Sequence, residues 1–462
     1  MSDQAYFNKR EILGVIAQNG LFRRSYLDTG LLQILSEKFS TEVLLSVADI
    51  ETEKVLKKEG FLVSDISNTF TPNIIQKSKK ITQLSWIAKR RKSPSFIFWH
   101  KRYVLGDALW FPKCGDFNFK TKNAALGVFR LTKKIIRDFK YFLEFAVPMK
   151  ALRTSLQIDR LPQSSMLERE LQKYKVVLLQ GVGTEPEVLP ILLACKKLQI
   201  TTVLVIDNWD NLTSKNVLPV LPDYVTVLGE IDRIHAVNIH GFSYERIWAI
   251  GMPKLISLTS VHSIDSRPAK KNILYLGFSL PHAEKKYLNS LMTELSNLDV
   301  NFDFELSYRP HPAQKQRLYD EELSEKIVQI ESKNLNGGLP SLDQSYCDSL
   351  LQYDLVIGTP TTLLLECMLL GIPSLCDLSD DGIHRTTASR SSQSYLHMVD
   401  LFSLEQVQVA TSTKEMAMAI VQQVSSVREE NVLQLENLVA LPIQDFAVRL
   451  VHELEQILCP RF

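Results

Sequence analysis

Apolar residues fall in short runs of strand length, separated by segments of helix length. EILGVIA (11–17), EVLLSV (42–47), a short run near 61–63, KVVLLQ (175–180), TTVLVI (201–206), YVTVL (224–228) and RIWAI (246–250) predict strands. Segments 25–39, 50–59, 186–198 and 230–240 predict the helices between them. This alternation predicts a parallel sheet covered by helices. It breaks over 68–150, where aromatics and bases are concentrated and the elements read as mainly helical. A polar stretch with two prolines, 251–271, reads as a linker, and a second series follows it. There 272–277, 302–309, 353–358 and 372–377 predict strands, and 283–298, 361–371, 413–425 and 429–458 predict helices. The expectation is an α/β chain of two Rossmann-like domains. The first covers 1–250 with an insertion at 68–150, and the second covers 272–430. Residues 431–462 are expected to form a C-terminal helix that packs back on the first domain.

Composition narrows the class. The 462 residues are 45% apolar and 23% charged, with a formal net charge of +1, so any anion-binding site must be local. The N-terminal segment lacks the charged head and apolar core of a secretory signal. No apolar run approaches the ~18–20 residues that span a bilayer. The six cysteines are scattered without ligand-like spacing. A cytoplasmic protein is expected.

Candidate chemistry lies in the loops after the strands, because ligands of open parallel sheets bind at the carboxyl ends of strands. In YRPHP (308–312) prolines flank His311, and with Arg309 this turn suits a phosphate clamp. The plainer alternative is a histidine capping the next helix. In IGTPTTLLLE (357–366), Gly358 allows a tight turn, and Thr359, Thr361 and Thr362 stand at a helix start, a ready anion site. Glu366 is placed for ribose hydroxyls, or is simply a helix residue. GFSLPHAE (277–284) offers Ser279 to a phosphate, or to a helix cap.

In the first domain, IDNWDNLTSK (206–215) gathers Asp207, Asp210, Trp209 and Lys215. Either aspartate could take the proton of an acceptor hydroxyl, and Trp209 could stack on a sugar. The alternative is a self-capping Asn/Asp turn. After the first strand, Asn19 and Arg24 are candidates for acceptor or phosphate binding. From Lys77 to Arg102 there are nine Lys/Arg and no Asp or Glu, interleaved with Trp86, Phe96, Phe98 and Trp99. That mixture suits an anionic membrane surface or a solvated basic face. A nucleic-acid role would rest on this run alone, and none is expected.

YRPHP after a strand, with a Thr-rich loop about fifty residues later, resembles the His-Pro and Ser/Thr motifs of bacterial GT-B glycosyltransferases of surface-polysaccharide synthesis. The likeness is to sialyltransferase-like and Kdo-transferase-like enzymes and to CDP-glycerol glycerophosphotransferases. NWDNLTSK, LPDYVTVLGE and the IGMPK turn also look like a group of bacterial surface-carbohydrate proteins. The resemblance covers roughly 175–377, with a weaker echo at 11–47. It implies two Rossmann-like domains facing a cleft and a metal-independent transfer from a nucleotide-sugar donor to a glycan or lipid-linked acceptor. No cofactor is expected, the nucleotide-sugar being a substrate. The carry-over puts His311 and the pair Thr361–Thr362 on donor phosphate. Those patterns favour Ser-Ser where this chain has GTPTT, which leaves cytidine, uridine and guanosine donors open. The alternatives are a CDP-glycerol-type polyol-phosphate transferase, a sugar-nucleotide epimerase and a non-catalytic scaffold of a membrane-bound assembly.

Overall fold

The computed structural model describes residues 12–18, 22–90, 92–96, 164–181, 185–258, 270–278, 282–298, 300–311, 322–330, 344–384 and, with short gaps, 387–458. The first sheet has seven parallel strands: β1 (Ile12–Ala17), β2 (Ser40–Leu45), β3 (Leu62–Asp65), β4 (Val176–Gly181), β5 (Thr201–Ile206), β6 (Tyr224–Val227) and β7 (Ile247–Ala249). Their order is β3-β2-β1-β4-β5-β6-β7. The second has six: β8 (Lys271–Leu276), β9 (Phe304–Arg309), β10 (Ile327–Gln329), β11 (Leu355–Gly358), β12 (Ser374–Asp377) and β13 (Gln408–Ala410), ordered β10-β9-β8-β11-β12-β13. This is the architecture of two Rossmann-like domains that the alternation predicts.

Parallel strands need covering on both faces, which is why the central runs are continuously apolar. All six residues of β4 are buried. Leu13, Val15, Val176, Leu178, Val203 and Val205 face one layer, and Ile16, Val177, Leu179, Leu204 and Ile206 face the other. The first layer is closed by the helix Phe446–Leu458, whose Phe446, Leu450, Val451 and Leu454 share one stripe and pack beside Leu31 and Leu35. The chain therefore returns from the second domain to complete the core of the first.

Several elements depart from the sequence pattern. The edge strands β10 and β13 are three residues each, too short to leave a periodic signature. The expected helix over 429–458 is instead a 3₁₀ turn, Val432–Asn437, and then the helix proper, divided around Pro442. Of the insertion, the helix Pro72–Lys89 is capped by Thr71 with proline at its first position, while 97–163 lie outside the described residues. Within the linker, Pro253–Leu255 forms a 3₁₀ turn directly after β7.

In each sheet the strand order reverses once, between β1 and β4 and between β8 and β11. Such switch points open a crevice at the carboxyl ends of the strands. The seam between the domains is apolar around them: Trp209, Met252 and Leu255 share one cluster with Leu350, Leu364 and Leu365.

Candidate functional site

In the second domain, Gly277 follows β8 and its N–H donates to the carbonyl of Arg309, 2.8 Å away. A Cβ on Gly277 would stand 2.7 Å from the His311 nitrogen and 2.8 Å from Glu284 Oε2, so only glycine lets the two loops cross. Glu284, 1% exposed, fastens both of them. It accepts from the Phe278 N–H at 2.8 Å and from the Tyr308 hydroxyl at 2.5 Å. Arg309 and His311 thereby leave the sheet on a fixed backbone, and both are half-buried.

The next strand, β11, ends at Gly358, whose Cβ would meet that of Leu276 at 3.0 Å. Thr361 caps the helix Thr362–Leu369 by accepting from Leu364 N–H at 3.3 Å. The Thr359 hydroxyl is buried without a hydrogen-bond partner among the described residues. The first N–H groups of a helix lack intrahelical partners, so a helix start of this kind is suited to an anion. Glu366, one turn further in, accepts from the Tyr346 hydroxyl at 2.6 Å and pairs with Lys254 at 3.3 Å. Both its oxygens are thus engaged.

In the first domain, the turn after β5 separates the two aspartates. Asp210 pairs with Lys215 at 2.7 Å. Burial pushes its pKa up, but Lys215 and then His397 outweigh this and hold the carboxyl below its usual range. Asp207 is 1% exposed, with the Gln180 and Ser25 side chains turned toward it as hydrogen-bond donors. Burial raises its pKa to about 7, against the opposing pull of Gln180, Ser25 and Lys254. Asn208, next to Asp207, accepts from Lys254 Nζ at 2.9 Å. Trp209 is 2% exposed in the seam, edge-on to His397 with centroids 5.0 Å apart, so its ring is covered by protein. The Arg24 guanidinium lies 5.8 Å over the Tyr346 ring, across the seam.

Lys254, Glu366 and Tyr346 thus form a line across the two domains, with Lys254 near enough to Asp207 for its charge to act on that carboxyl. Asn19 and Ser279 lie outside the described residues. Sequence reasoning passed over Lys254, Tyr346 and Glu284. For Lys254 a signal existed, since GMPK follows β7 directly and so stands where a strand-end loop belongs. Tyr346 and Glu284 sit on helices and carry no local signature.

The basic aromatic run divides. Trp86 and Phe96 are buried against Val217 and Ile239, and the Trp86 indole donates to the Lys215 carbonyl at 3.0 Å. Phe98 and Trp99 lie outside the described residues. No helix among the described residues is long and apolar enough to cross a membrane. In the Asp380–Asp381 pair, Asp381 binds His384 Nδ1 at 2.6 Å. Its pKa is held far down, because the His384 and Ile383 hydrogen bonds outweigh burial.

No protein-family model matches the chain, and no curated protein matches it. Among solved structures, the UDP-GlcNAc 2-epimerase of Neisseria meningitidis bound to UDP-GlcNAc overlays with a TM-score of 0.51 at 13% identity, covering 96% of this chain and 100% of that one. A second UDP-N-acetylglucosamine 2-epimerase overlays with a TM-score of 0.51 at 13% identity, over 98% and 97%. At such identity the likeness is one of fold: this chain has the two-domain GT-B architecture.

Proposed function

We propose that the chain is a nucleotide-sugar-dependent glycosyltransferase that elongates a glycan or lipid-linked acceptor in bacterial surface-polysaccharide synthesis. The observation that carries this reading is Asp207: a carboxyl 1% exposed, directly after β5, whose pKa burial raises to about 7. A base poised near the working pH is what deprotonation of a sugar hydroxyl requires. In the proposed step Asp207 accepts the acceptor's hydroxyl proton and the acceptor oxygen bonds to the donor's anomeric carbon. The bond from that carbon to phosphate breaks, and the nucleotide leaves with the electron pair. Arg309, His311 and the helix start at Thr361–Thr362 are placed to receive that charge, with Thr359 as a donor beside them. Asp210, already ionised by Lys215, holds the turn in shape in this reading.

The buried position of Asp207 also favours a second reading, a sugar-nucleotide epimerase, since a soluble sugar nucleotide alone could occupy so enclosed a site. Donor supplied without acceptor discriminates the two, through conversion to an epimer or none. The test of the donor site is calorimetric titration with CMP, CDP, UDP and GDP, repeated on His311→Ala. Binding of one nucleotide, weakened about tenfold by the substitution, is expected. Binding of none would sink both readings.

A further inference from the structure

The two arginines that follow β1 part company. Both belong to the turn Arg23–Leu27, at the carboxyl end of β1 beside the switch point. Arg23 is 60% exposed and pairs with Asp28 at 3.6 Å. Arg24 is half-buried, and among the described residues no carboxylate pairs with it. Its Nε is a buried donor without a hydrogen-bond partner among them. The guanidinium lies 5.8 Å over the Tyr346 ring, a contact that uses its charge and leaves its N–H donors unused. Such a group cannot shed its proton, so burial leaves it charged. Its surroundings do not balance it. Lys254 is a second cation within reach: burial lowers the Lys254 pKa, Glu366 opposes this, and the Arg24 charge adds to the lowering. Glu366 is already engaged, by Lys254 at 3.3 Å and by the Tyr346 hydroxyl at 2.6 Å. Buried charges are ordinarily paired, so this one calls for a counter-ion.

We infer that Arg24 binds a carboxylate or phosphate carried by the acceptor that meets Asp207. The inference rests on the role proposed for Asp207 and narrows the substrate of that site to an acidic acceptor. Position assigns the anion to the acceptor. Ser25, the next residue, donates its hydroxyl to Asp207, so the turn that holds Arg24 also serves the carboxyl proposed to take the acceptor's proton. The donor's phosphates have partners of their own in the proposed site, on the second domain. Chemistry selects the group. A guanidinium presents its N–H donors in a planar fork, which matches the paired oxygens of a carboxylate or phosphate. It also offsets the repulsion that such a ligand would meet from Asp207 once that group is ionised. A neutral acceptor would leave the buried charge unbalanced.

The experiment uses the full chain with Arg24→Gln, which removes the charge, and Arg24→Lys, which keeps it without the fork. Calorimetry and saturation-transfer NMR follow the binding of methyl glucuronide, methyl sialoside and glycerol phosphate, with methyl glucoside and methyl galactoside as neutral controls. CMP, CDP, UDP and GDP are titrated beside them. At least one acidic probe should bind the parent and lose about tenfold or more in Arg24→Gln, with a smaller loss in Arg24→Lys. A loss confined to the two sugar acids identifies a carboxylate as the group bound, and one confined to glycerol phosphate identifies a phosphate. Because Arg24→Gln removes an unpaired charge, its ligand-free Tm should equal or exceed that of the parent. The inference is overturned if no acidic probe binds, if the parent and Arg24→Gln bind them equally, or if the neutral controls bind as well. A lowered Tm with equal binding would mark the guanidinium as packing for Tyr346. Weakening of the nucleotides alone in Arg24→Gln would also overturn it, by making Arg24 a residue of the donor's phosphates. Nucleotide binding by the parent, and its loss in His311→Ala, reports separately on the proposed function, so the two can fail independently.

Discussion

Lys254 and Glu366 meet at 3.3 Å across the two domains, with side chains only 10% and 5% exposed. The pair ties the turn after β7 to the helix that follows the Thr-rich loop. Burying two charges is costly in itself, so their value lies in fixing a geometry rather than in raw stability.

Removing one partner leaves the other charge buried. Lys254→Met should destabilise the protein by about 3 kcal/mol, and the double variant Lys254→Met/Glu366→Leu should recover most of that. Chemical denaturation of the four proteins of the cycle reads the coupling. A loss in the double variant equal to the sum of the two single losses would show that the pair is not coupled.

Asp207 links pH to both stability and rate. Its folded pKa, about 7, lies above the unfolded value, so the folded chain holds a proton that the unfolded chain releases. Its contribution is full below about pH 4 and declines as pH rises toward 7. Asp207→Asn should therefore be more stable than the parent at pH 8, by on the order of 2–4 kcal/mol, while losing turnover. In the parent, turnover should rise with pH to a plateau above about 7. Loss of turnover in Asp207→Asn without any gain in stability at pH 8 would contradict the raised pKa.

Gly277→Ala tests the crossing of the two loops. The added methyl meets backbone, His311 N at 2.7 Å and Pro310 Cα at 3.0 Å, which cannot swing aside. Nucleotide affinity should fall by about tenfold or more with circular dichroism unchanged. Gly358→Ala meets the Leu276 side chain at 3.0 Å and should do less harm.

His235 and Asp400 join the domains at 2.6 Å, with Asp232 also near the imidazole. Burial lowers the His235 pKa, but the Asp400 hydrogen bond and the two carboxylate charges prevail and raise it. A raised histidine pKa stabilises below the unfolded value and is lost as pH climbs through the folded one. Small-angle scattering should show the domains separating as pH rises past that point, with a smaller change in Asp400→Asn. A radius of gyration independent of pH in the parent would refute this.

The fold was legible where burial forces a pattern. Central strands such as β4 and β5 must be apolar on both faces, so they announce themselves; β10 and β13, at the edges, need only three residues and do not. At the site, IDNWDNLTSK was visible as a cluster, but Asp207 and Asp210 are three residues apart and equivalent in sequence. What distinguishes them is tertiary: Lys215 folds back onto one, and the sheet buries the other. Lys254 was hidden because its loop is polar and proline-bearing, the composition of a linker, although it anchors the seam.

The return of the helix Phe446–Leu458 to the first domain has a consequence for biosynthesis. A nascent chain emerging from the ribosome can assemble the β8–β13 sheet before the helix covering Leu13 and Val15 exists. The earlier-made half must wait, part of its apolar face bare, for the later-made half to finish it. Cutting the chain within 251–271 and expressing the pieces apart would strand that face permanently. Supplying both pieces in one cell should restore solubility to the first.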